Sequence, residues 1–105
     1  MSAWFGPEVG AALDAAAGTG VAYMAIAYPI RPGADRGGFQ GLVRLNLVAL
    51  SDRYIIHIAE YPADEFNPRK ASMTLEREGF DTVLWDDCQR DTWTALAISV
   101  EREDW

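Results

Sequence analysis

The fold is decided by residues 42–61, LVRLNLVALSDRYIIHIAEY. Apolar and polar residues alternate on both sides of a short polar turn, which is typical of two half-buried strands joined as a hairpin. A register in which paired residue numbers sum to 103 places Leu45 opposite Ile58 and Leu47 opposite Ile56. Apolar side chains then meet apolar partners on one face, whereas a shift by one residue would mix the two faces.

The two faces of this predicted hairpin differ in character. One is apolar and is expected to hold the domain together beneath the helices; its members are Val43, Leu45, Leu47, Ile56 and Ile58. The reverse face places Asn46 beside His57 and near Arg44; its members are Leu42, Arg44, Asn46, Val48, Ile55, His57 and Tyr61. This mixed face is the first place to expect a partner, because it is too apolar to be simply solvated and too polar to be core.

Two helices are predicted from their start and stop signals. The first begins at Pro7, carries an apolar stripe with 3.6-residue spacing, and ends at the Gly18-Thr19-Gly20 sequence. The second begins after Asn67-Pro68, an N-cap followed by proline, and ends at Gly79. The second helix is polar apart from a narrow apolar stripe, so we expect it to cover a sheet.

The remaining strands are predicted at residues 21–30, 82–86 and 92–100. Residues 92–102 also fit the spacing of a helix, which is the main alternative for this segment. Alanines repeat on one side of 21–30 and of 92–100, and small side chains allow a helix to approach closely. The predicted fold is a single α+β domain over residues 1–105, in the order α-β-β-β-α-β-β, with a five-stranded mainly antiparallel sheet and both helices packed on the alanine face.

Charge and composition limit the classes of function. The chain has a net charge of −7, and residues 31–59 form its only net-positive part. An acidic field repels nucleic-acid phosphate, so we expect no direct nucleic-acid binding. The longest apolar run is about half a membrane span, the first residues lack a signal-peptide pattern, and the single Cys88 excludes an intrachain disulfide. These features favour a cytoplasmic protein that does not enter a membrane.

The motifs of common catalytic and cofactor sites are absent from the sequence. His57 is the only histidine and has no nucleophile or carboxylate at a recognisable spacing; a small anion-binding patch with Arg44 and Asn46 is the functional alternative. The acidic turn that holds Asp86, Asp87, Cys88 and Asp91 matches no metal-binding loop. The glycine-rich segment 31–38 lacks the P-loop lysine. We therefore expect no catalytic residue, no cofactor and no metal.

Aromatic and acidic residues provide the positive signal for a protein partner. Trp4 and Trp105 lie near the ends of the sequence, where burial is difficult, and tryptophan is enriched at protein interfaces. The acidic segments 86–91 and 101–104 could imitate phosphates if they shared a face. The candidate partner-binding residues are Arg44, Asn46, His57, Tyr61, Trp4, Trp105, Asp86, Asp87 and Asp91.

The sequence thus favours a small acidic, non-enzymatic interaction module of the inhibitor or chaperone type. It would bind a protein with a basic surface through a sheet edge or an aromatic patch, and a homodimer through the same edge is an option. One alternative is a phage-type inhibitor of a host nucleic-acid-binding defence complex, whose acidic residues would occupy a basic nucleic-acid groove. Another is a ligand-binding or enzymatic domain that uses Arg44, Asn46 and His57. The element order is similar to that of small acidic dimeric secretion chaperones, and size and charge resemble those of phage-borne acidic inhibitors; neither likeness covers a motif.

Overall fold

The computed structural model describes residues 7–30, 41–88 and 91–100, which form an α+β domain with an antiparallel sheet and two helices. The elements are α1 Pro7–Ala17, β1 Tyr23–Ile30, β2 Leu42–Ala49, β3 Ile55–Pro62, α2 Pro68–Glu76, β4 Phe80–Thr82, β5 Asp86–Asp87 and β6 Trp93–Ser99. The predicted fold class and element order are confirmed. Neither described helix is long and apolar enough to cross a membrane. The glycine-rich segment 31–38 lies outside the described residues.

The sheet has the strand order β3-β2-β1-β6-β4, and β5 also pairs with β6. The segment 93–99 is therefore a strand, and the helical alternative for it is wrong. The single strand predicted at 82–86 is also wrong, because β4 and β5 pair with different parts of β6. Between them, Val83 N still donates to Leu96 O of β6 at 2.9 Å, and Trp85 packs near α2, where its indole N–H donates to Ser72 Oγ at 2.9 Å.

The two helices lie on opposite faces of the sheet, so the prediction that both cover the alanine face is wrong. The α2 face of the sheet carries Ala25 and Ala27, and the α1 face carries Met24 and Ile26. Because both sides of β1 are apolar, helices packed on only one face of the sheet would leave large apolar side chains exposed to water on the other face. The nearly unbroken apolar run in 21–30 was the sequence signal for this arrangement.

Each helix is matched to the shape of its face. Ala71 and Leu75 of α2 are fully buried in one core with Ala25, Ala27, Val43, Leu45, Leu47 and Ala97. The alanines of β1 and β6 allow this helix to approach closely, as the sequence predicted. Val9, Leu13 and Ala16 of α1 form a second core with the larger side chains Met24, Ile26 and Val48. The domain therefore has two thin cores that share the sheet.

A β-bulge changes the register of the central hairpin. Val48 pairs with Ile55 as predicted, but Leu47 pairs with His57 and Leu45 with Ala59, because the ladder shifts between Leu47 and Val48 and leaves Ile56 unpaired. The predicted register is correct beside the turn and wrong by one residue beyond it. His57, Ala59 and Tyr61 consequently lie on the α2 face of the sheet.

The register shift also corrects the predicted core. Val43, Leu45 and Leu47 are fully buried as expected, but Ile56 and Ile58 are 47% and 53% exposed. In their place, Ala59 and Tyr61 pack into the core beneath α2. The small Ala59 and the ring of Tyr61 therefore pack against α2 where Ile56 and Ile58 were predicted.

We expect Leu75→Ala to lower the free energy of unfolding by about 2–5 kcal/mol, because it opens a cavity at the contact between α2 and the sheet. Leu84→Ala is the matched control: this leucine is 78% exposed, and its loss should change stability by less than about 0.5 kcal/mol. Urea unfolding followed by circular dichroism measures both values. Equal effects for the two variants would contradict the described packing of α2.

Candidate interaction surface

The clearest unpartnered feature of the described structure is the outer edge of β3. This strand pairs with β2 on one side, and no described strand pairs with its other side. An unpaired edge presents backbone N–H and C=O groups that can bind another strand. The half-exposed Ile56 and Ile58 lie on this strand, so backbone hydrogen-bonding groups and apolar side chains occur together.

The edge of β3 is shielded at both ends. The bulge at Ile56 twists the strand near the turn, and Pro62 ends it with a residue that cannot donate a hydrogen bond. Glu60 is held by Arg44 of β2, with 2.8 Å between Oε2 and Nε. The accessible part of the edge is therefore short, about four residues around Ile58.

The predicted anion-binding patch does not form. Arg44 and Asn46 lie on the α1 face of the sheet, whereas His57 lies on the α2 face, opposite Leu47. Arg44 is engaged by Glu60, and this hydrogen bond raises the pKa of Arg44. The one-residue shift at the bulge separates His57 from the other two residues, so the proposed constellation of Arg44, Asn46 and His57 is wrong.

His57 lies on the α2 face of the sheet, near Glu78. Its Nε2 lies 3.5 Å from Glu78 Oε2 and is buried without a hydrogen bond. A general base needs an oriented partner and an accessible substrate position. The described contacts of His57 supply an ion-pair partner near the end of α2 and no neighbouring nucleophile.

Tyr61 is buried between the sheet and α2, on the α2 face, which is opposite to the face predicted for it. Its hydroxyl accepts from Asn67 N at 3.0 Å and donates to Asn67 O at 3.2 Å. Burial raises the pKa of Tyr61, and the hydrogen bond that the Asn67 backbone N–H donates to the hydroxyl opposes this effect. Tyr61 thereby fixes the start of α2 to the end of β3. Its contribution to partner binding stays a prediction.

Several acidic residues lie at one end of the sheet. Asp86 and Asp87 form β5 and are exposed, next to Trp93 and Thr94 of β6. Asp91 lines a depression of about 200 Å³ together with Asp64 and Glu65. Sequence reasoning did not connect Asp64 and Glu65 with the β5–β6 turn, because they are about 25 residues away along the chain. The acidic segment 101–104 lies outside the described residues, as do Trp4 and Trp105.

The described residues contain no group of three or more His, Cys, Asp or Glu side chains that could hold a metal ion. Cys88 is partly buried, and its pKa is raised by burial and by the nearby carboxylates of Glu8 and Asp87. The thiol form is therefore favoured at neutral pH, whereas a reactive cysteine needs the thiolate.

Two concave surfaces were missed by sequence reasoning. An apolar groove of about 380 Å³ lies between α1 and residues 83–88, with Ala12, Ala16, Met24, Leu84 and Leu96 among its walls. A second groove, of about 520 Å³, lies between α2 and the end of β3. The first groove is formed by segments distant in sequence, so no local pattern identifies it. The second is formed mostly by α2, and its signal in the sequence was the spacing of Arg69, Met73 and Arg77.

Comparison of the chain with protein-family models, with curated proteins and with solved structures found no match. The candidate function therefore depends on the geometry and charge of the described residues.

We expect Asn46→Leu to raise the free energy of unfolding by about 1 kcal/mol. Asn46 is only 2% exposed and its Nδ2 has no hydrogen-bond partner, and an unsatisfied buried amide costs stability. Asn67→Ala is the contrasting control, because the Asn67 side chain accepts from Arg69 N and Lys70 N at the start of α2. Losing this cap should lower stability by about 1 kcal/mol. Urea midpoints at constant m-value report both changes, and a lower midpoint for Asn46→Leu would contradict the prediction.

Proposed function

We propose that this protein is a small non-enzymatic interaction module that binds a partner protein through the outer edge of β3. The observation that supports the proposal is the coincidence, on one strand, of an unpaired backbone edge with the half-exposed side chains of Ile56 and Ile58. A partner strand added to this edge gains backbone hydrogen bonds and removes both isoleucines from water.

Charge directs this association. The chain carries a net charge of −7, and Asp86, Asp87 and Asp91 lie at the end of the sheet that also carries Asp64 and Glu65. This acidic end of the sheet attracts a basic surface and increases the association rate, while the apolar edge of β3 stabilises the bound complex. The proposed partner is thus a protein with a basic region beside an available strand.

A second copy of the chain is another candidate for the same edge. In an antiparallel pairing of two β3 strands centred on His57, each Ile56 would lie opposite the other copy's Ile58. A concentration-dependent dimer would support this version, and it would use the same contacts as the heterologous one.

The edge is tested by comparing the double variant Ile56→Lys/Ile58→Lys with the wild-type protein as bait in a pull-down from the native host. Two lysines on an edge strand oppose pairing with another strand. We therefore expect the affinity for the partner to fall by about tenfold or more, which corresponds to about 1.4 kcal/mol of binding free energy, and the amount of captured partner to fall with it. Ile98→Lys is the matched control: Ile98 is 48% exposed but lies on β6, an internal strand.

Equal capture by the edge variant and the wild-type protein would overturn the proposal. Loss of capture with Ile98→Lys as well would assign the effect to added positive charge in general. Size-exclusion chromatography of the same three proteins over a range of concentrations reports whether a second copy is the partner.

Occupation of a basic nucleic-acid groove is a second candidate function, supported by the gathering of acidic residues at the β5–β6 end. It predicts that capture weakens steeply between low and moderate salt and that a nucleic acid displaces this protein from its partner. The triple variant Asp86→Asn/Asp87→Asn/Asp91→Asn should then lose the partner while Ile56→Lys/Ile58→Lys retains it. The β3-edge proposal predicts the reverse order and weak salt dependence. Arg44 and Asn46 lie on the face of the sheet opposite to His57, so this geometry does not add support to the ligand-binding alternative.

A further inference from the structure

The outer side of α2 carries a stripe of cations in this acidic chain. Arg69, Met73 and Arg77 follow one another at intervals of four residues and therefore lie along one side of the helix. Lys70 and Thr74 lie beside them, and the opposite side is buried through Ala71 and Leu75. Together with Tyr61, Pro62 and Asn67, the outer residues form a groove of about 520 Å³, which we call the cationic groove.

The cations of the groove are unpaired in the described structure, unlike other arginines. Arg44 is paired with Glu60, and Arg53 is paired with Asp14. Arg69, Lys70 and Arg77 have no ion pair and no side-chain hydrogen bond with any described residue. The chain has 16 acidic and 9 basic residues, so carboxylates are plentiful, yet none lines the groove.

The walls of the groove are fixed before any ligand arrives. Tyr61 is anchored by its hydroxyl to both backbone groups of Asn67. The Asn67 side chain already accepts from the first amides of α2. An anion would therefore be bound by the arginine and lysine side chains and not by the helix terminus. Met73 is 45% exposed between them and offers an adaptable apolar contact.

The spacing of the groove residues defines the ligand. Four helical residues rise about 6 Å, so Arg69, Met73 and Arg77 sample three positions over about 12 Å. An extended peptide advances about 6.6 Å every two residues and points alternate side chains to the same side. Residues one, three and five of a strand thus match the three positions of the helix.

We propose that the cationic groove binds an extended acidic peptide segment with carboxylates at its first and fifth positions and an apolar side chain at the third. The carboxylates pair with Arg77 and Arg69, where arginine can form two parallel hydrogen bonds to one carboxylate. The apolar side chain contacts Met73. Lys70 adds charge beside the stripe. This site borders the end of β3 through Tyr61 and Pro62 but does not use Ile56 or Ile58, and it does not depend on the function proposed for the β3 edge.

A peptide fits the groove better than a nucleic acid does. The net charge of −7 repels a long polyanion, whereas a short acidic segment encounters mainly the local cations. Single-stranded nucleic acid is usually bound by exposed aromatic rings on which bases stack. The groove has one ring, that of Tyr61, and it is buried.

The test uses a fluorescein-labelled peptide with glutamates at positions one and five and leucine at position three, separated by serines. Fluorescence anisotropy measures its binding to the full chain. A peptide with glutamines in place of both glutamates, and one with the two glutamates adjacent, are the ligand controls. We expect both control peptides to bind at least about tenfold more weakly, because each loses at least one charge-assisted pair.

The protein variants separate local from global charge. Arg69→Gln/Arg77→Gln should weaken binding of the acidic peptide by about tenfold or more. Arg44→Gln/Arg53→Gln removes the same two charges elsewhere and should change binding by less than about twofold, after allowance for screening at physiological salt. Ile56→Lys/Ile58→Lys should bind the peptide as well as the wild-type protein, which keeps failure of this site distinct from failure of the β3 edge.

Four outcomes would overturn the proposal. The first is that the wild-type protein does not measurably bind the acidic peptide, and the second is that both arginine double variants lose the same amount of affinity for it. The third is that the peptide with adjacent glutamates binds as tightly as the peptide with separated glutamates. The fourth is that a single-stranded oligonucleotide binds more tightly than the peptide. All substituted arginines are on the surface, and circular dichroism confirms that each variant is folded before binding is measured.

Discussion

The structure depends on a single extra residue in the central hairpin. Because Ile56 is left out of the ladder between β2 and β3, every residue beyond it changes face relative to a regular hairpin. His57, Ala59 and Tyr61 move beneath α2, and Ile58 moves to the other side of the sheet, where it is half-exposed. The bulge thus determines which side chains close the core, where α2 is anchored, and which apolar groups remain on the edge strand.

The same arrangement distributes interaction surfaces around the molecule. With α1 on one face and α2 on the other, the faces of the central strands are covered, and contacts with other molecules are left to the sheet edge, the helix surfaces and the ends of the sheet. These surfaces differ chemically: the β3 edge is apolar, the β5–β6 end is acidic, and the outer side of α2 is basic.

Local signals predicted much of the fold, and long-range contacts account for the errors. The bounds of α1 and the N-cap at Asn67 followed from proline, asparagine and glycine, whose conformational effects are local. The bulge had no comparable signal, because the residues around Ile56 are β-formers that fit either register. The convergence of Asp64, Glu65 and Asp91, and the groove between α1 and residues 83–88, depend on how distant segments pack. Candidate sites in this chain were consequently less predictable than its elements.

Hydrogen–deuterium exchange across the sheet tests most directly that β3 is the binding edge. The protein would be measured alone and saturated with the partner that it captures, or at a concentration at which a second copy is bound. If β3 is the binding edge, amides of residues 55–61 become slower to exchange on binding, while those of the internal strands β1 and β6 are protected in both states and change little. Protection confined to α1 and residues 83–88, with residues 55–61 unchanged, would contradict binding at the β3 edge.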